Sequence, residues 1–174
     1  ISITKRLNSF FPSTKKPLIV TNIGGFSRDI PMSTEGKKIA YNIFAKSLEE
    51  LKDDKVEIIP QTMPPFPWHF GGQRLQNLFI YPDEILYWCN KLELRMCFDI
   101  SHSYLACNHF NLDFQDFTKK VAPLTAHLHI GDAKGLNGEG LQVGDGEIDF
   151  NLFSKIFKSI NQDASFIPEI WQGH

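Results

Sequence analysis

Short apolar runs alternate with amphipathic stretches along this chain. "PLIVTNIGG" (17–25) is a β-rich run that ends in Asn22 and a glycine pair. Residues 33–54 place Ile39, Ile43, Phe44, Leu48 and Leu51 at helical spacing, behind Ser33 or Thr34 as N-cap. "KVEIIPQT" (55–62) reads as a second strand, and "PDEILYWCNKL" (82–92) as a helix with proline in its first turn. A third strand (94–101), a helix (112–122), a fourth strand (125–131), a helix (149–160) capped by Asp149 and a fifth strand (164–171) complete the series. Alternation of strand and helix predicts βα units around a parallel sheet. The strands are apolar on both faces, as strands covered by helices must be. No linker or low-complexity tract interrupts the pattern, so residues 1–174 are expected to form a single domain.

Polar residues interrupt the strands near their C-terminal ends: Asn22, Gln61, Asp99, His129 and Glu169. In parallel α/β folds that edge is where chemistry is assembled. Alternation along 125–131 puts His127 and His129 on one face and Leu128 and Ile130 on the other. If the leucine face packs on helices, both imidazoles point inward. His129 then reads as the candidate ligand at the mouth and His127 as a hydrogen-bonded core residue. "FDISH" sets Asp99 and His102 in a D-x-x-H spacing that lets a carboxylate and an imidazole converge on one ion or one substrate hydroxyl. Carboxylates and imidazoles without thiolate suit Mn²⁺, Co²⁺, Mg²⁺ or Zn²⁺.

Two loops stand out. The segment 131–150 carries six glycines between 131 and 146 but no Walker, dinucleotide or EF-hand spacing. Its glycines either let backbone approach a ligand, with Lys134 and Glu139 as polar candidates, or keep a solvated loop flexible. The segment 60–74 holds four prolines and three aromatics. Trp68 and Phe70 either wall a sugar-sized pocket or plug a barrel end, and Arg74 can hold an anion such as phosphate.

Composition narrows the classes. A formal net charge of −2 over 174 residues argues against a nucleic-acid coat protein, and no apolar run is long enough for a membrane helix. Cys89, Cys97 and Cys107 form no Cys-x-x-Cys pair, so they are expected to be buried reduced thiols of a cytoplasmic protein. The chain opens without methionine and stops just after an apolar run, so it is expected to be part of a longer protein.

"CFDISHSYLAC", "AHLHIGDAKG", "VGDGEIDF" and "FIPEIWQGH" resemble the xylose-isomerase-like (β/α)8 barrels, which include sugar and sugar-phosphate isomerases and epimerases and endonuclease IV-like enzymes. The resemblance runs from about residue 17 to 174 and covers the last five strands of such a TIM barrel, without its first three strands and last helix. A whole barrel needs about 250 residues. The resemblance implies one divalent metal ion on Asp99, His129 and Glu169, with Gln61 at the place of a fourth ligand. It makes Glu169 the acid/base and His102 the histidine that meets substrate or a second metal. Asn22, Trp68, Arg74, Lys134, Glu139 and His174 are the expected substrate contacts.

Gln61 stands where the epimerases carry a glutamate, and an amide cannot shuttle a proton. That leaves a single-base isomerisation, or a different second base. The expected function is a metal-dependent sugar or sugar-phosphate isomerase or epimerase working through an enediolate. The expected partner is the small sugar, with no nucleic acid or membrane, in a homo-oligomer or a fusion to another biosynthetic domain. One rival is a catalytically inactive sugar-binding barrel. The other is a metal-dependent phosphodiesterase, which lacks a histidine at Asn22 and an aspartate and histidine near Gly138 and Gly140.

Overall fold

A computed structural model describes residues 1–11, 13, 15–69 and 72–171, with only the backbone of His69. His174 and Phe70, both named above, lie outside the described residues. The main strands are β1 (Leu18–Thr21), β2 (Glu57–Pro60), β3 (Met96–Asp99), β4 (Thr125–Ile130) and β5 (Ser165–Pro168). The helices are α1 (Ser2–Phe10), α2 (Thr34–Glu50), α3 (Pro82–Leu92), α4 (Ile100–Phe110), α5 (Phe114–Val121) and α6 (Phe150–Ile160). β1 pairs in parallel with β2, and β3, β4 and β5 pair in parallel in that order. A parallel bridge between Gln61 and Cys97 joins the two sets. The strands therefore follow chain order in one arc of a β/α barrel, with β1 and β5 as its edges.

The helix ends follow the sequence. Ser33 caps α2, accepting the Gly36 N–H at 3.1 Å, and Asp149 caps α6 through the Leu152 N–H at 2.9 Å. Pro82 opens α3, with Asp83 and Glu84 in the first turn and Lys91 in the last, the arrangement the helix dipole favours. Asn111, at φ 54°, ends α4 in the left-handed region.

Two helices depart from the pattern-based reading. The apolar run extends the third strand to Ser101, but the strand ends at Asp99 and α4 begins at the next residue. Ile100, Ser101, Ser103, Leu105, Ala106 and Cys107 are all buried, so α4 lacks the one-sided stripe that marks a surface helix. The N-terminal α1 buries no residue.

The outward face of the sheet makes the core. Phe98 is fully buried, with its ring centroid 5.9 Å from those of Phe117 and Phe153 and 6.4 Å from that of Phe157. Met96 and Leu128 join that cluster, which α5 and α6 close from outside. Cys97, Asp99, His127 and His129 lie on the opposite, inward face, in register across β3 and β4. At the base of the strands, the Arg95 guanidinium donates to both carboxylate oxygens of Glu57. Beside that pair a cavity of about 960 Å³ is lined by Leu18, Val20, His127 and Ser165. All four residues of β5 are exposed, Phe166 by 63% and Ile167 by 46%.

The glycine-rich segment is ordered around one carboxylate. Asp132 is 1% exposed and accepts N–H bonds from Ala133 (2.8 Å), Gly144 (2.9 Å), Gly146 (3.0 Å) and Ile148 (3.1 Å). A Cβ on Gly146 would stand 2.3 Å from Asp132 Oδ1, so only glycine brings that backbone so close. The segment is therefore a folded loop rather than a flexible one.

Two stability predictions follow from these contacts. Phe98→Ala should cost about 3–5 kcal/mol in denaturant unfolding, the range for emptying an aromatic core site. Asp132→Ala leaves four donors without their acceptor and should cost roughly 3 kcal/mol or more. It should also raise amide exchange across 133–148, whereas unchanged exchange there would mean the loop is held by other contacts.

Candidate active site

The absence of any loop between β3 and α4 sets the geometry of the strand ends. Asp99 is both the last residue of β3 and the N-cap of α4. Its Oδ1 accepts the His102 N–H at 2.9 Å, which leaves Oδ2 directed toward the inside of the arc. Thr62, just beyond β2, fixes the Asp99 backbone from the other side. Its hydroxyl accepts the Asp99 N–H at 2.9 Å and donates to the Asp99 carbonyl at 3.2 Å. The Ser103 hydroxyl donates to Thr62 Oγ1 at 2.9 Å.

Three ligand groups converge here, Asp99 among them. His129 Nδ1 lies 3.6 Å from Asp99 Oδ2 and in direct contact with Glu169 Oε2. Asp99, His129 and Glu169 each present a ligand atom within 4.8 Å of the others. His129 Nδ1 is buried and has no well-directed hydrogen-bond partner among the described residues. A buried imidazole nitrogen facing two carboxylates suits either a proton or, in its place, a divalent cation, so these three residues fit the metal that the sequence motifs imply.

Gln61 does not act as a fourth donor in the orientation it takes. Its amide nitrogen donates to Asp99 Oδ2 at 3.1 Å and lies 3.3 Å from His102 Nδ1. A half-turn of the amide would exchange that nitrogen for the oxygen.

His102 is bound at both nitrogens. Nδ1 lies 2.9 Å from the Thr62 carbonyl, which can only accept, and Nε2 lies 3.0 Å from Glu139 Oε1. Only the imidazolium donates from both nitrogens at once. Burial opposes that charge, but Asp99, Glu139 and the Thr62 carbonyl outweigh it and raise His102 to about 9. For His129 burial again opposes the charge, and Asp99, the Cys97 thiol and Glu169 together raise it to about 12. Glu169 is held below the usual carboxylate range, chiefly by its contact with His129.

The glycine-rich loop delivers Glu139. The Gly140 N–H donates to Ser101 Oγ at 2.8 Å, and the Trp171 N–H donates to the Gly140 carbonyl at 2.8 Å. Gly140 sits at φ 61°, and a Cβ there would meet Trp171 Cδ1 at 2.3 Å. Residue 139 is thereby held between the start of α4 and the end of β5. His127 bonds Ser165 Oγ at 2.7 Å, one layer below His129.

The other candidates stand further out. Asn22 and Lys134 are exposed, Trp68 is 58% exposed, and Arg74 is partly buried. The loop carrying Trp68 and Arg74 reaches the glycine-rich loop where Gln73 Nε2 donates to Asn137 Oδ1 at 2.9 Å. Thr62, Ser101 and Asp132 escape the sequence reading, because small buried polar residues carry no periodic signal. Asp132 had one clue, its place in a run of glycines.

The His102 charge has a stability consequence. Its folded value, about 9, exceeds the ordinary 6.5, so its contribution is complete below about pH 6.5 and is lost as pH rises through about 9. Chemical denaturation of chelator-treated protein should show stability falling over that window. The fall should be smaller in Glu139→Gln. An equal fall in both proteins would remove the assignment to this pair.

Comparison with known proteins adds a lineage to this geometry. A family model described as a xylose isomerase-like TIM barrel matches residues 15–174. An uncharacterized protein of Methanocaldococcus jannaschii is 35% identical over 127 residues, which is 70% of this chain and 44% of that protein. Among solved structures, a D-tagatose 3-epimerase-like protein superposes with TM-score 0.67 at 21% identity, covering 91% of this chain and 57% of its own. An L-ribulose 3-epimerase gives 0.66 at 15% identity over 89% and 48%. The probable 3-DHS dehydratase AsbF of Bacillus anthracis gives 0.67 at 13% identity over 99% and 64%. The chain thus spans about half the length of these relatives, as a five-strand arc spans part of a closed barrel. With the model matching nearly its whole length, the chain belongs to the xylose isomerase-like TIM-barrel family.

Proposed function

We propose that the site serves a metal-dependent isomerase or epimerase of a sugar or sugar phosphate. The observation that carries this reading is the convergence of Asp99, His129 and Glu169 within 4.8 Å around a buried imidazole nitrogen. Solved relatives of the fold named as sugar epimerases support it. A divalent ion held by these three residues would supply Lewis acidity toward a carbonyl and its neighbouring hydroxyl.

The protein's own groups account for the rest. Glu169 is a carboxylate at neutral pH, so it is able to accept a proton. At 50% side-chain exposure it also reaches the site's open side. The His102 imidazolium places positive charge beside oxygens that gain charge as an enediolate forms. Trp68 offers an aromatic wall to a sugar ring. Arg74 and Lys134 have no carboxylate partner among the described residues and are free to meet a phosphate.

One observation favours a binding-only barrel as a second reading. The Gln61 amide donates to the same Asp99 oxygen that a metal would use. The two readings separate on one pair of measurements. Full-length protein incubated with Mn²⁺ and a panel of ketoses and their phosphate esters should bind the ion and interconvert at least one sugar pair. Metal-free protein that binds sugars without converting any would favour the second reading.

Outer-shell partners of a metal ligand are already worth about 10–100-fold in affinity, so Asp99→Asn and His129→Ala should each weaken Mn²⁺ binding by roughly 100-fold or more. Full stoichiometry of Mn²⁺ in the double variant would refute the assignment.

A further inference from the structure

The glycine-rich loop carries two dipeptides of one chemical type. Among the asparagines only Asn137 is followed by glycine, and among the aspartates only Asp145. A following glycine has no Cβ to shield its backbone nitrogen, so that nitrogen is able to attack the preceding side-chain carbonyl. Asparagine is a heat-labile residue for this reason. The structure treats the two attacking nitrogens differently.

At Asp145–Gly146 the nitrogen is occupied. The Gly146 N–H donates to Asp132 Oδ2 at 3.0 Å, within the set of bonds that folds the loop. The Asp145 N–H donates to the Gln142 carbonyl at 2.9 Å and fixes the turn before it. Ring closure there requires the buried Asp132 contacts to open first.

Asn137–Gly138 stands at the loop's exposed tip. Residues 135–137 are the turn of a hairpin whose arms are Asp132–Lys134 and Gly138–Leu141. The arms meet at two pairs, Gly138 with Lys134 and Leu141 with Asp132, and the register shifts between them. Gly138 belongs to the pair beside the turn, where a short ladder frays first. A Cβ on Gly138 would stand 2.7 Å from the Lys134 carbonyl oxygen, so the hairpin demands the same glycine that makes its neighbour labile. The Asn137 side chain meets water on its open side, and its Oδ1 accepts from Gln73 Nε2 at 2.9 Å.

We propose that Asn137–Gly138 is a self-modification site, where Asn137 converts to isoaspartate or aspartate and the isoaspartate form loosens the loop from the candidate active site. The Gly138 nitrogen gives its proton to a solvent base, and its electron pair forms a bond to Asn137 Cγ. The bond from Cγ to the side-chain nitrogen breaks, and that nitrogen leaves as ammonia with a proton from water. Water then opens the resulting five-membered imide. Cleavage at the main-chain carbonyl gives isoaspartate, with the chain running through Cγ. Cleavage at Cγ gives aspartate. The balance is one water consumed, one ammonia released and one carboxylate gained.

The isoaspartate product reaches the site through the backbone. The Asn137 carbonyl that accepts the Glu139 N–H at 3.1 Å leaves the main chain, and one extra atom enters it before Gly138. Glu139 Oε1 lies 3.0 Å from His102 Nε2, and the Gly140 N–H donates to Ser101 Oγ at 2.8 Å. Both contacts lie within three residues of the inserted atom. The aspartate product adds the charge and leaves the backbone path unchanged.

The test uses full-length Asp145→Asn protein, which makes the two dipeptides identical by changing one exposed side chain. The protein is held folded in mildly alkaline H₂¹⁸O and then cut after its lysines. The fragment 135–155 contains both dipeptides, and each conversion takes up one oxygen that fragmentation by mass spectrometry assigns to its position. Position 137 should convert at least about tenfold faster than 145 in the folded protein, because only 145 must await loop opening. The isolated fragment 135–155 should convert at both positions within about threefold. Equal rates in the folded protein would overturn the proposal, as would no uptake at 137 in the time that fully converts the isolated fragment. The isoaspartate form of the wild-type protein should exchange the Gly140 amide at least about tenfold faster by NMR, while Asn137→Asp stays within about threefold of the unmodified protein. Unchanged Gly140 exchange in the isoaspartate form would overturn the link to the active site.

Discussion

The carboxylate of Asp99 does two jobs at once, and the rest of the site depends on that division. One oxygen completes the first turn of α4, and the other faces Gln61, His102 and His129. With no residues between β3 and α4, the cap cannot be kept while the second carboxylate oxygen is moved. The position of His102 follows from it, because that residue's own N–H is the group being capped. Thr62 then fixes the Asp99 peptide to the end of β2. The site is in this sense a by-product of how the third strand turns into a helix.

The arc itself was legible because every strand keeps an apolar run, whether buried like β3 and β4 or exposed at the edge like β5. Asn22, Gln61, Asp99, His129 and Glu169 stand out because they break those runs at one edge of the sheet. The histidine alternation in 125–131 also separated the two rings: His127 is tied to Ser165, and His129 faces the carboxylates. The missed features share a physical cause. α4 is buried on nearly all sides, so its apolar content shows no helical stripe and blends into the strand before it. Thr62 and Ser101 act through single hydrogen bonds between segments distant in sequence, and no local pattern encodes those.

The glycine-rich segment illustrates how composition underdetermines order. Six glycines in a short stretch permit either flexibility or close backbone packing. A buried carboxylate that draws four N–H groups inward decides for packing here. The glycines at 140 and 146 are then demanded by contacts at Trp171 and Asp132 rather than by a need for motion. Glu139 rides on that folded loop, so its approach to His102 is determined by residues that never touch it.

The strict chain order of the five strands bears on how the molecule assembles. Each strand docks against the one made just before it, across a helical crossover, so no pairing waits on a strand further along the chain. The donor set, however, is divided among the ends of β3, β4 and β5. Intermediates that lack the β5 unit would hold Asp99 and His129 without their third member. An ion that requires all three would therefore bind only after the arc has grown to its last strand, and its affinity would then report the completeness of folding.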